Sequence, residues 1–379
     1  MRKRLYFIII LLFTLYLNTV ECKGQLKRTT EPWNEISAFF SPPEAYVGSY
    51  GKYRSPHIFS NGDSVKTKED WKKRRRDILD FWHQQMGEWP ELLKGQKLEI
   101  IDTLRRENFF QYRVRFRWTP NENTEGYLLI PDGEKPKPAV ITVYYEPETA
   151  IGEGVVLRDF AYQLAKRGFI TLSLGTKAAT EAKRYSIYYP DVDHAEVQPL
   201  SMLAYASANA WQVLAKVDGV DPSRIGIMGH SFGGKWAMFA SCLYEKFACA
   251  VWSDPGIVFD ESRGDINYWE PWYLGYHPPP WRKRGLITDE NPALGLYPKL
   301  IERGVDLTDL HALMAPRPFL VSGGSEDPPE RWVALNHTIA INQVLGYQNR
   351  VAMTNRPTHA PTEASNEQAY LFLEHFLKL

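Results

Sequence analysis

The sequence is poor in what would mark many functional classes. It has 3 cysteines in 379 residues, too few for a disulfide framework. Its 45 basic and 45 acidic side chains cancel, so no global field draws it to nucleic acid or an anionic membrane surface. It shows no internal repeat, no low-complexity linker, no Cys/His spacing of a zinc or iron site and no glycine-rich phosphate loop after the first predicted strands. These absences point away from metal, nucleotide cofactor and nucleic acid alike. The residue types that are abundant are aromatic, 12 Trp among them, which fill a core or offer stacking surfaces for sugar rings.

The single long apolar run lies at the start. Met1-Arg2-Lys3-Arg4 is followed by Leu5 to Leu17, interrupted only by Thr14. That run is short for a membrane span and suits the core of an export signal, so residues 1–22 are expected to be a signal peptide and no stable span is expected. Glu21 before Cys22 departs from the small residue of lipid-attachment sites, so export to the periplasm, surface or medium is expected without a lipid anchor. Cleavage there leaves Cys242 and Cys249, read as buried free thiols.

Residues 23–95 read as an extended wrap followed by a helix that Thr67 caps, with Trp71, Ile78, Leu79 and Trp82 at helical spacing. The run Lys72 to Arg76 reads as a solvated face of that helix. From residue 96 onward strands and helices alternate, which implies an α/β fold: a mostly parallel central sheet flanked by helices. Strands are expected at 97–105, 110–118, 124–130, 139–144, 169–174, 224–228, 248–252, 317–322 and 350–354. Helices are expected at 155–166, 202–214, 233–243, 332–345 and 367–377. Residues 257–312 break the rhythm with an aromatic, Pro-rich insertion.

The informative stretch is Gly229-His230-Ser231-Phe232-Gly233, entered from an apolar strand and left by a small-residue helix. This G-x-S-x-G pattern in a strand–turn–helix setting lifts the serine onto a strained turn, where only glycines fit two residues either side. Ser231 is therefore the expected nucleophile. A serine needs a base, and the base an orienting acid. His359, in the Pro-bounded loop Asn355 to Pro361, is the expected base. Asp327, in the acidic turn after the strand at Phe319, is the expected acid, and Asp254, after the preceding strand, the alternative. The oxyanion donors are expected to be the Phe232 N–H and a second N–H from Tyr145 or Glu146.

These motifs resemble the α/β-hydrolase superfamily over roughly residues 95–379, and within it the exported bacterial polysaccharide esterases of acetyl xylan or pectin type and dienelactone-hydrolase-like enzymes. Trp71-Lys-Lys-Arg-Arg75 and Leu310 to Phe319 carry the narrower likeness. The resemblance implies an α/β-hydrolase fold and a cofactor-independent serine esterase that removes acetyl or methyl esters from a carbohydrate. It also implies a lid-like role for the insertion. Glucuronoyl esterases are similar as well. Gly229, Ser231, Gly234 and Lys235 match their elbow, but Phe232 stands where that family has an oxyanion-stabilising arginine, which shifts the expectation toward acetyl or methyl esters. Lys235, Trp269 and Trp272 are the candidate sugar contacts. A lid that merely packs on the body, a surface role for Lys235, a serine peptidase of the prolyl-oligopeptidase relation and a non-catalytic binding protein remain as alternatives.

Overall fold

The computed structural model describes residues 33–378, so the proposed signal peptide and Cys22 lie outside the described residues. Nine strands form one sheet: β1 Glu99–Arg105, β2 Phe109–Arg117, β3 Asn123–Pro131, β4 Lys137–Tyr144, β5 Ile170–Gly175, β6 Val220–His230, β7 Ala250–Ser253, β8 Phe319–Gly323 and β9 Val351–Asn355. Their spatial order is β1-β2-β3-β5-β4-β6-β7-β8-β9. The pairs from β1 through β3 to β5 are antiparallel, and those from β5 through β4 to β9 are parallel.

The apolar strands explain the layering. Both faces of the parallel strands are covered, so alternate residues serve two cores rather than one core and solvent. Ile141, Ile227, Trp252 and Val321 join the larger cluster, with helices Pro199–Leu214, Phe232–Leu243 and Trp332–Leu345. Val140, Met228, Val251 and Leu320 point the other way, against Phe160–Lys166 and Glu363–Lys378. Strands β4 to β9 all run the same way, which brings their C-terminal ends to one edge, and the loops there form the site.

The helix Lys68–Met86 starts as expected, with a reciprocal cap. The Asp70 N–H donates to Thr67 Oγ1 at 3.0 Å and the Thr67 N–H donates to Asp70 Oδ2 at 3.0 Å. Its basic run is not wholly solvated. Arg74 is buried, its Nε donating to the Pro56 carbonyl and its guanidinium beside Asp309, while Arg75 pairs with Glu245. The helix expected from Val155 begins only at Phe160. A π-type turn at Thr149–Glu153 precedes it, and Gly152 (φ 91°) and Leu157 (φ 60°) break the helical path. The insertion packs down rather than standing off. Ile257, Ile266, Tyr268, Trp269 and Leu274 are fully buried in the larger core.

Candidate active site

β6 delivers the chain to Ser231 and the helix Phe232–Leu243 carries it away. Ser231 sits at φ 56°, ψ −114°, a conformation that side chains avoid unless the surroundings hold it. The flanking glycines show why it is held. A Cβ on Gly229 would collide with the Gly233 carbonyl, and one on Gly233 with the Val143 carbonyl. The elbow is thus wedged between its own helix and β4.

Ser231 Oγ lies 2.8 Å from His359 Nε2, and His359 Nδ1 lies 2.7 Å from Asp254 Oδ2. Asp254 is fully buried, and its carboxylate accepts the N–H of Gly324 at 2.6 Å and of Asp327 at 2.9 Å. An acceptor of this kind selects the tautomer: Nδ1–H donates to Asp254, leaving Nε2 free to accept the Ser231 hydroxyl. The three groups come from the ends of β6 and β7 and from the loop after β9, one sheet edge in all.

Asp327 is not part of this relay. It is fully buried one turn away, where its carboxylate accepts the Gly256 N–H at 2.7 Å and the Ile257 N–H at 2.6 Å. Burial, and then the neighbouring Asp254 charge, push its carboxyl above the usual carboxylate range. The expected acid is therefore a loop latch, and the alternative, Asp254, faces the histidine. The physical reason is the loop after β8. It folds its N–H groups of Gly324 and Asp327 around Asp254, which turns the Asp327 side chain away toward residues 256–257.

Phe232 follows the serine as the first helical residue, so its N–H has no partner within the helix. Its ring is buried, stacked on Tyr145 at 4.4 Å between centroids and in contact with Trp236 and Tyr273. That stack sets Tyr145, and the turn after β4, against the elbow. Glu146 lies in the same turn, its carboxyl raised by burial and then by Glu148.

The expected sugar contacts fare differently. Lys235 is 2% exposed, neither a surface lysine nor a free arm. Its Nζ donates to the Pro255 carbonyl at 2.7 Å and the Asp265 carbonyl at 3.2 Å, under the rings of Tyr268 and Tyr273. Burial pulls its pKa down to about 8. The insertion, which closes over it, is what removes it from the site. Trp269 is fully buried and donates to the Gly285 carbonyl, so it holds the insertion together. Trp272 is 6% exposed and packs on Tyr185 and Trp281, with Arg284 over its ring.

One residue, Arg356, was missed in the sequence. Arg356 is buried and donates to the His359 carbonyl at 2.7 Å and the Ser322 carbonyl at 2.7 Å, which fixes the histidine loop onto β8. His230 is fully buried with its ring 4.7 Å from that of His359 and its Nδ1 against Ser253 Oγ. Burial, with the positive groups around it, holds His230 well below the usual imidazole range, so it packs beside His359 as a neutral ring. A basic residue just ahead of the histidine was the one available signal for Arg356. Among the described residues, no group of three or more His, Cys, Asp or Glu side chains could hold a metal ion, and no helix is long and apolar enough to cross a membrane.

Comparisons with known proteins place this geometry. Residues 207–338, which include Ser231, Asp254 and Asp327 but stop short of His359, match the prolyl oligopeptidase family. A 4-O-methyl-glucuronoyl methylesterase from Podospora anserina is 22% identical over 203 residues, 53% of this chain. The match covers 40% of that relative's length. A glucuronoyl esterase from Solibacter usitatus superposes with a TM-score of 0.68 at 17% identity, covering 88% of this chain and 99% of that one. A putative acetyl xylan esterase from Bacteroides fragilis superposes with a TM-score of 0.55 at 17% identity, covering 89% of each chain. The sheet order, the strained serine between β6 and its helix, and these superpositions agree: the chain is an α/β-hydrolase by fold.

Proposed function

We propose that this protein is a serine carboxylic-ester hydrolase that acts on esters carried by carbohydrate. The observation that carries the reading is the Ser231–His359–Asp254 relay, with both bonds under 3 Å. His359 Nε2 takes the Ser231 proton as Oγ attacks the ester carbonyl. Asp254 holds the imidazole in the competent tautomer and stabilises the imidazolium. The developing oxyanion sits at the N-terminus of the elbow helix, against the Phe232 N–H and, from the neighbouring turn, the Tyr145 N–H. His359 then returns the proton to the leaving alcohol, and water repeats the cycle on the acyl enzyme. No cofactor enters these steps.

The carbohydrate part of the reading is supported by the relatives, which are named for glucuronoyl and acetyl xylan esters. Two ester classes follow from two observations. Phe232 presents a buried ring where an arginine would add charge, which favours an acetyl or methyl ester. The fold neighbours favour a uronoyl ester. Export, as read from residues 1–22, suits an extracellular polysaccharide substrate. The test is turnover of p-nitrophenyl acetate, an acetylated xylan and a methyl glucuronate ester by wild type and Ser231→Ala. The variant is expected to lose at least about 10³-fold in kcat on whichever ester is cleaved. An undiminished rate would overturn the assignment, and cleavage of aminoacyl chromogenic substrates alone would move it to the peptidases.

A further inference from the structure

Arg158 is a cation at the catalytic edge that no acid answers. It is half-buried, and among the described residues its guanidinium makes no hydrogen bond and no ion pair. Its Nε is sealed from solvent, whereas Nη1 and Nη2 remain open. The tip lies beside the relay. Cζ stands 6.0 Å from the centre of the Tyr144 ring, and Tyr144 ends β4 next to the elbow, where Val143 pairs with Gly229. Behind burial, the larger cause in each, the Arg158 charge lowers the pKa of both His230 and Arg356. The first packs its ring 4.7 Å from that of His359, and the second donates to the His359 carbonyl at 2.7 Å. Arg158 therefore stands on the histidine's flank, where the leaving alcohol takes its proton.

The chain is bent to put it there. Leu157 sits at φ 60°, a left-handed conformation that a leucine keeps only where its surroundings hold it. The hold is Asn366, buried on the helix Glu363–Lys378, whose Nδ2 donates to the Leu157 carbonyl at 2.9 Å. Nearby acids are engaged elsewhere or offset. Asp159 accepts Gln163 Nε2 at 2.7 Å, and Glu148 pairs with Lys177 at 2.9 Å. Among the described residues Glu146 makes no ion pair, and neither does Arg284, which lies over the Trp272 ring at 5.9 Å and whose charge works against burial on the Tyr145 hydroxyl. These two offset each other across the turn and leave Arg158 unmatched. A guanidinium that sheds water without gaining a partner is costly. Its open Nη1–Nη2 edge is planar and matches the two oxygens of a carboxylate.

We propose that Arg158 is a specificity-determining residue that binds a carboxylate on the alcohol portion of the ester, so that the preferred substrate is an O-acylated acidic sugar. It rests on the carbohydrate-esterase reading above, but binding can be tested without turnover. Ser231→Ala protein would be titrated calorimetrically with trigalacturonate and, separately, with neutral maltotriose. Saturable binding of trigalacturonate is expected, about tenfold or more tighter than maltotriose. Adding Arg158→Gln is expected to weaken it about tenfold or more. Adding Arg76→Gln, which removes the same charge from an exposed position on the helix Lys68–Met86, is expected to change it by less than about twofold. Circular dichroism melts would establish that the variants are folded. With Ser231 restored, Arg158→Gln is expected to raise KM for acetylated trigalacturonate about tenfold while kcat stays within about threefold. No saturable binding of trigalacturonate, equal losses from Arg158→Gln and Arg76→Gln, or an unchanged KM overturns the proposal. Binding of trigalacturonate through Arg158, with no acetyl ester cleaved by the wild type, would sink only the esterase reading.

Discussion

Asp254 and Asp327 are tied to each other in both directions. The Asp327 N–H donates to Asp254 Oδ1 at 2.9 Å, while the Asp327 carboxylate accepts the N–H groups of Gly256 and Ile257, just beyond Asp254. Two loops from adjacent strands β7 and β8 therefore clasp, and only one of the two carboxylates is left facing His359.

This division of labour predicts different phenotypes. Asp254→Asn is expected to lower kcat by roughly 10³–10⁴-fold by favouring the wrong imidazole tautomer, with little change in melting temperature. Asp327→Asn is expected to retain substantial kcat but to lose about 1–3 kcal/mol of stability, as one backbone donor loses its acceptor. Parallel kinetics and thermal melts would show it; a dead Asp327→Asn beside an active Asp254→Asn would reverse the assignment.

The pH dependence of stability has a defined contributor in Asp306. It accepts the Phe259 and Leu307 N–H groups, and burial pushes its pKa up to about 7. Between about pH 4 and about pH 7 the folded chain holds a proton there that the unfolded chain releases, so this group costs stability as pH rises through that window and adds no slope above it. Asp306→Asn is expected to flatten that slope, its melting temperature gaining on wild type from pH 5 to pH 7. A constant difference across a melt series at these pH values would contradict it.

The insertion is pinned by a buried ion pair, Glu270 Oε1 with Arg282 Nη1 at 3.0 Å, both side chains at most 2% exposed. Arg282 also donates to the carbonyls of Pro292, Gly285 and Asn291. Removing one partner strands the other charge, so Glu270→Ala is expected to cost about 3–5 kcal/mol. It should also open residues 257–296 to limited proteolysis. The double variant Glu270→Leu/Arg282→Met should recover part of the loss. An unchanged melting temperature for Glu270→Ala would show that the pair does not hold the insertion.

Cys242 and Cys249 are free, fully buried thiols, both pushed well above the usual range by burial. Neither is expected to react with a thiol reagent in the native protein, and both should react in denaturant. Peptide mapping after alkylation would resolve the two sites; native labelling of either would contradict the burial.

What the sequence determined by itself was local. Strand–turn–helix chemistry with glycines either side placed Ser231, because the steric demand lies within five neighbouring residues. Apolar runs placed the parallel strands, and a Pro-bounded loop before the final helix placed His359. What only the tertiary structure decided was which long-range partner each polar group met. Asp254 and Asp327 both follow strands at the same edge, and the choice between them was made by the course of the β8 loop, whose N–H groups wrap Asp254. Lys235 and Trp269 read as site residues from their neighbours in the chain, yet the insertion folds over Lys235 and buries Trp269 within itself. Burial and pairing depend on residues dozens of positions away, whereas the elbow carries its own steric requirement.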